Sequence, residues 1–277
     1  MSAPHPMSYV AFVARAGADP AVVGLVLKGS HAREGMATRC SDHDLYVVLA
    51  DGAATGLGAL DGFRSARLDL VVVTLAEFDR LGDGERYAIA RARVLLDRPG
   101  GRITRTVAAK RRLGVAQASR VAQASRVAQA SRVAQASRVA AARLDAYANA
   151  HYRSLKNARD GNPLAARLDA ADSLGFLLEL LFAFDRHPRP CNKYLEWELD
   201  RFPLPGRDTR RLLTALGRIT GAGDADVQRE RELFGRVEAV ARAAGHASTL
   251  DAWGDDLGLI RPAALGLMRP AAGWRVP

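Results

Sequence analysis

Apolar runs and the residues that interrupt them divide the chain into two textures. Met7 to Ala16 reads as a short helix, ended by Gly17 and Pro20. Ala21 to Leu27 is a β-branched apolar run of strand length, followed by Lys28-Gly29-Ser30. His31 to Cys40 reads as helix or loop. A second strand, Leu45 to Leu49, is entered from Ser41-Asp42-His43-Asp44. Arg67 to Thr74 is a third strand and Leu75 to Leu81 starts a helix. Ala88 to Asp97 adds a short apolar segment before Pro99-Gly100-Gly101, which reads as a domain boundary.

Beyond that boundary the pattern turns helical. Helices are expected over Arg143 to Asn157, Pro163 to Phe184, Lys193 to Asp200, Thr209 to Leu216 and Asp224 to Ala244. The fold expected is therefore α+β: a small mixed-sheet domain over residues 1–100, a basic linker or helix over 101–142, and a helical bundle over 143–277.

The linker contains a tandem repeat. Val-Ala-Gln-Ala-Ser-Arg occurs four times unchanged from Val115 to Arg138. Its residues favour helix, yet six residues advance a helix by roughly 240°, so successive valines point to three different faces. Such a segment is either a largely solvated helix or a flexible linker, and identical copies favour recent expansion over a refined binding surface. Three extra copies would add about five whole turns, preserving helix phase while displacing the downstream chain by about 27 Å.

Charge sharpens this division. The chain has 277 residues, a net charge of +10 and a pI near 10.3. Arg102 to Arg143 holds ten basic residues and no acidic one, so the rest of the chain sums to zero. That block contains no aromatic residue, which argues against base stacking there and makes nucleic acid the weaker class of partner. The 48% hydrophobic content excludes a disordered chain, and no apolar run is long enough to span a bilayer. Two cysteines give no disulfide framework. With no basic-then-apolar leader, they point to a cytoplasmic protein.

The candidate chemistry lies in Gly29-Ser30, Asp42-x-Asp44 and Asp69. Two aspartates separated by one residue at the start of a strand project from the same face. Asp69 precedes another β-branched run that can lie alongside. Three carboxylates on one small sheet repel unless cations intervene, and hard oxygen donors suit Mg²⁺, which also shares its coordination with phosphates. Gly29 lets backbone N–H groups approach a phosphate. Two-metal phosphoryl transfer needs this combination. An Asp-x-Asp alone is a common loop feature; the weight lies in the set.

Gly29-Ser30-His31-Ala32-Arg33-Glu34-Gly35, then Ser41-Asp42-His43-Asp44-Leu45 and Asp69, resembles the nucleotidyltransferase superfamily of the DNA polymerase β type. The form is closer to small bacterial members that include aminoglycoside nucleotidyltransferases. The resemblance covers roughly residues 20 to 75. It implies a nucleotidyltransferase domain followed by a helical domain, with Asp42, Asp44 and Asp69 as Mg²⁺ ligands and catalytic residues, and Gly29 and Ser30 at the triphosphate.

The helical half offers weaker candidates. Lys156 and Lys193, two of the four lysines, suit a triphosphate as compact point charges, with plain surface solvation an even alternative. Glu179, set among leucines, is a candidate general base with a pKa raised by burial, in competition with Asp172, Glu196 and Glu198. His31 and His43 read as surface or supporting residues, Arg33 as a phosphate contact or a surface arginine, and Cys40 as packing. The expected activity is transfer of a nucleoside monophosphate, AMP from ATP by preference, to a hydroxyl of a small molecule, with an aminoglycoside-like acceptor the most concrete choice. The alternatives are modification of a protein or tRNA, and non-catalytic binding of nucleotide or nucleic acid. A homodimer is left open.

Overall fold

A computed structural model describes residues 7–81, 83–111, 126–221 and 227–262. The chain forms two compact units, Met1–Gln123 and Ala124–Pro277.

The first unit is built on a four-stranded mixed sheet. Its elements are α1 (Tyr9–Ala18), β1 (Val22–Lys28), a 3₁₀ turn (Ser30–Ala32), β2 (His43–Leu49), a second 3₁₀ turn (Gly56–Leu60) and β3 (Leu68–Thr74). These are followed by α2 (Leu75–Arg80), α3 (Asp83–Ala90), β4 (Arg93–Asp97) and α4 (Arg102–Lys110). The sheet order is β3-β2-β1-β4. β2 runs parallel to β3, and β1 runs antiparallel to both β2 and β4.

Alternation along β2 explains its continuous apolar run. Leu45, Val47 and Leu49 face a core with Phe12 and Ala16 of α1, while Tyr46 and Val48 face a second core with Phe78, Ile89, Ile103 and Val107. A strand covered on both faces has no solvent side to mark with polar residues. Helix starts follow local chemistry: Ser8 accepts from the Ala11 N–H, and Thr74 with Glu77 forms a capping box.

Two expectations change here. The apolar segment Ala88–Asp97 resolves into the end of α3 and a fourth strand. The boundary expected at Pro99-Gly100-Gly101 is instead a turn inside the first unit, leading into α4. Asp97 secures that turn by accepting from the Ile103 and Thr104 N–H groups and from the Thr104 hydroxyl. Ile103 and Val107, one helical turn apart, are buried in the core against β1 and β2. Gly24 makes room for them, since a Cβ there would lie 2.9 Å from Ile103 Cδ1.

The second unit contains α5 (Arg126–Arg159), α6 (Pro163–Phe184), a 3₁₀ turn (Asn192–Tyr194), α7 (Leu195–Arg201), α8 (Thr209–Thr220), α9 (Val227–Ala243), α10 (Ala247–Asp251) and α11 (Asp256–Ile260). α6 has the bounds its sequence pattern suggests, with Pro163 at its first turn. Between α5 and α6, Gly161 (φ +77°) closes a Schellman turn, the Asn162 N–H donating to the Asn157 carbonyl and the Gly161 N–H to the Ala158 carbonyl.

α5 starts well before Arg143. Residues 112–125, which include the first hexapeptide and most of the second, lie outside the described residues, whereas the last two hexapeptides belong to α5. In the final copy Ala136 is buried while its neighbours Ala134, Gln135, Ser137 and Arg138 are exposed. Ala136 opens a buried stripe through Ala140, Leu144, Tyr147, His151 and Ser154. The stripe ends in a buried polar cluster. Glu230 of α9 accepts from the Ser154 hydroxyl at 2.8 Å and lies 3.5 Å from His151 Nδ1, while His151 Nε2 donates to the Ile260 carbonyl at 3.1 Å.

Among the described residues, no helix is long and apolar enough to cross a membrane. Ile103→Ala is expected to destabilise the protein by ~2–5 kcal/mol through the cavity it leaves, read as a lowered urea midpoint; a linker helix would show almost no change. Glu230→Ala leaves the buried Ser154 hydroxyl without its acceptor. It is expected to cost ~1–3 kcal/mol by the same assay.

Candidate metal and phosphate site

β2 and β3 place the carboxylates. Their parallel register sets Asp44 beside Asp69, and both residues alternate onto the Tyr46 face of the sheet. Asp42 lies just before β2. One oxygen from each of Asp42, Asp44 and Asp69 lies within 4.8 Å of the others, and all three residues are half-buried. Three hard anionic donors this close, without full burial, fit Mg²⁺, which prefers carboxylate oxygen and keeps room for other ligands.

Gly29 completes the cluster. Its backbone (φ +67°, ψ −155°) is a conformation essentially restricted to glycine, and a Cβ there would lie 1.8 Å from Asp44 Oδ2. The Asp44 carboxylate therefore occupies the space that any other residue at position 29 would fill. Ser30 is buried at the start of the 3₁₀ turn that comes next in the chain. Arg33 is not a surface arginine: it is buried, its Nη1 donates to the Gly29 carbonyl at 2.7 Å, and its guanidinium lies 4.8 Å from the Tyr87 ring centre. It braces the Gly29-Ser30 turn from inside.

The histidines belong to the same framework. His43 is sandwiched between Tyr9 of α1 and His31, with ring centres 3.9 and 3.7 Å away. His31 Nε2 lies 3.3 Å from the Ser41 carbonyl, which ties the loop back to the residue before Asp42. Burial, then the nearby His31, holds His43 below the ordinary histidine pKa, against the opposing pull of the Arg67 carbonyl and Asp42.

Cations also stand beside these acids. Arg64 Nε lies 3.5 Å from Asp69 Oδ2 across an isolated antiparallel bridge, so Asp69 has a charge partner with an exposed side chain. Lys28 pairs in register with Asp44, and its ammonium lies 3.8 Å from Glu85 and 4.7 Å from the Tyr46 ring centre. Burial, then the hydrogen bond to Glu85, raises the Tyr46 pKa and keeps its phenol a donor. Lysine directly after the β1 apolar run is a visible sequence signal; Arg64 and Glu85 have none, because strand pairing and α3 bring them in.

The helical candidates fall in the other unit. Glu179 is not an isolated buried carboxylate: a third of its side chain is exposed, and Arg143 Nε lies 2.6 Å away. Among its competitors, Glu198 is buried while Asp172 and Glu196 are exposed. Lys156 is exposed near the Tyr152 ring, and Lys193 is exposed near that of Tyr194. Cys40 is exposed and is not a packing residue.

No family model matches the chain, and no curated protein matches it either. The geometry of the site therefore stands on its own residues.

Gly29→Ala is expected to lose ~1–3 kcal/mol from backbone strain alone and more from the collision with Asp44. Gly35→Ala is the control: it has φ +78° but open space around its Cβ, so its loss should stay within the strain range. Urea denaturation of the two variants checks the difference.

Proposed function

We propose that the protein is a Mg²⁺-dependent nucleotidyltransferase of the DNA polymerase β type. In this reading it moves a nucleoside monophosphate, AMP from ATP by preference, to a hydroxyl of a small acceptor in the cytoplasm. The observation that carries this reading is the convergence of Asp42, Asp44 and Asp69 beside a turn whose Gly29 admits no side chain.

Asp42, Asp44 and Asp69 would hold the Mg²⁺, and Gly29 and Ser30 would face the triphosphate. The ion supplies Lewis-acid polarisation of phosphate oxygens and charge neutralisation for the pyrophosphate leaving group. The chain's own part is positioning. Strand hydrogen bonds fix Asp44 against Asp69 at no conformational cost during the reaction. Arg33 holds the Gly29 carbonyl, which keeps the turn that would face the phosphate in its glycine-only conformation. Arg64 offers Asp69 a charge partner that a bound cation would displace. The acceptor hydroxyl still needs a base, and with Glu179 paired to Arg143 none is assigned in the helical unit. An aminoglycoside-like acceptor is the working choice, with protein or tRNA modification as the alternative acceptor class.

Incubation with labelled ATP and Mg²⁺ against small hydroxylated acceptors, RNA and protein tests the reading. Transfer is expected with the wild type, and only background with Asp44→Asn or with EDTA, while the circular dichroism spectrum and urea midpoint of the variant stay near wild type. Undiminished transfer by Asp44→Asn would remove the assignment.

A further inference from the structure

The second unit carries a cavity of about 710 Å³ where the last turns of α5, the Gly161 turn, the start of α6, α9 and α11 meet. The volume is in the range that accommodates drug-sized ligands. Its walls are apolar in part, with Leu155, Val227 and Leu259, and its charged lining residues are Lys156, Arg159 and Arg231. Among the described residues, no acidic side chain lines it. Asp160, next in the chain, occupies Arg159 Nε at 2.8 Å, which leaves Lys156 and Arg231 as the cations of interest.

Arg231 is the more informative of these. Its Nη2 donates to the Leu259 carbonyl at 3.0 Å, but its Nε is buried without a hydrogen-bond partner. The Leu259 carbonyl holds this guanidinium at the cavity wall, where an anion in the cavity would pair with its charge. The start of α6 adds to the same field. Asn162 makes no side-chain cap to its N–H groups, and Gly161 and Pro163 line the cavity, so the positive end of a 22-residue helix lies at its edge. Tyr152 contributes an aromatic wall beside Lys156.

We propose that this cavity binds an amphiphilic organic anion, a carboxylate or sulfonate on a compact apolar body, with Arg231 and Lys156 as its charge partners. The site is made entirely of second-unit residues, so its occupancy does not depend on nucleotidyl transfer.

The test uses the full-length protein and 8-anilinonaphthalene-1-sulfonate, whose fluorescence rises on binding. Its uncharged counterpart, N-phenyl-1-naphthylamine, serves as the comparison. Saturable binding of the sulfonate at one site is expected, with competition by decanoate and an affinity about tenfold lower in Lys156→Gln and in Arg231→Gln. Lys156 is exposed, so its variant remains informative if Arg231→Gln fails to fold. Equal affinity in the wild type and Lys156→Gln overturns the proposal. So does equally tight binding of the uncharged probe, or displacement by ATP without Mg²⁺ as readily as by decanoate, which would make the cavity a nucleotide site.

Discussion

Everything at the carboxylate site depends on the pairing of β2 with β3. Seven consecutive residues pair in parallel, from His43 with Leu68 to Leu49 with Thr74. Like charges set side by side on neighbouring strands repel, and here Asp44 is set beside Asp69. The pairing tolerates this because the rest of the register is apolar and β2 is buried on both faces. A slip of one residue would turn Leu45 and Val47 out of one core and Tyr46 and Val48 out of the other. The cores thus hold the acids in place, and Arg64 offsets part of the charge that results.

The sheet and the acid cluster were legible in the sequence because each has a local signature. β1, β2 and β3 are β-branched runs with turn residues beside them, and Asp42-x-Asp44 with Gly29 is a spacing. What escaped was whatever depends on a partner far along the chain. α4 looks like part of a charged linker because Pro99-Gly100-Gly101 reads as a break. Its place is fixed by Ile103 and Val107 meeting β1 and β2, which no window of sequence displays. Glu179 looks buried because its neighbours are leucines, yet the helix turns it toward Arg143. Arg33 reads equally well as a surface cation, and its burial is set by Tyr87 and the Gly29 carbonyl.

The basic block also changes character once contacts are assigned. Arg102 pairs with Asp79, Lys110 donates to the Leu81 carbonyl, Arg111 donates to the Ala90 carbonyl, and Arg143 pairs with Glu179. These cations tie helices to the units that contain them. Lys156, Arg159 and Arg231, at the end of α5 and the start of α9, lie outside that block and line the cavity of the second unit.

Gly29 and Asp44 share one volume, since the carboxylate fills the place of the missing Cβ. In descent, then, they behave as one inherited character rather than two. A lineage that acquires a side chain at position 29 has to move or surrender the acid at 44, and neither step alone is neutral. Among divergent chains too distant for overall similarity to register, joint retention or joint loss of this pair would separate those that keep the cluster from those that keep only the sheet.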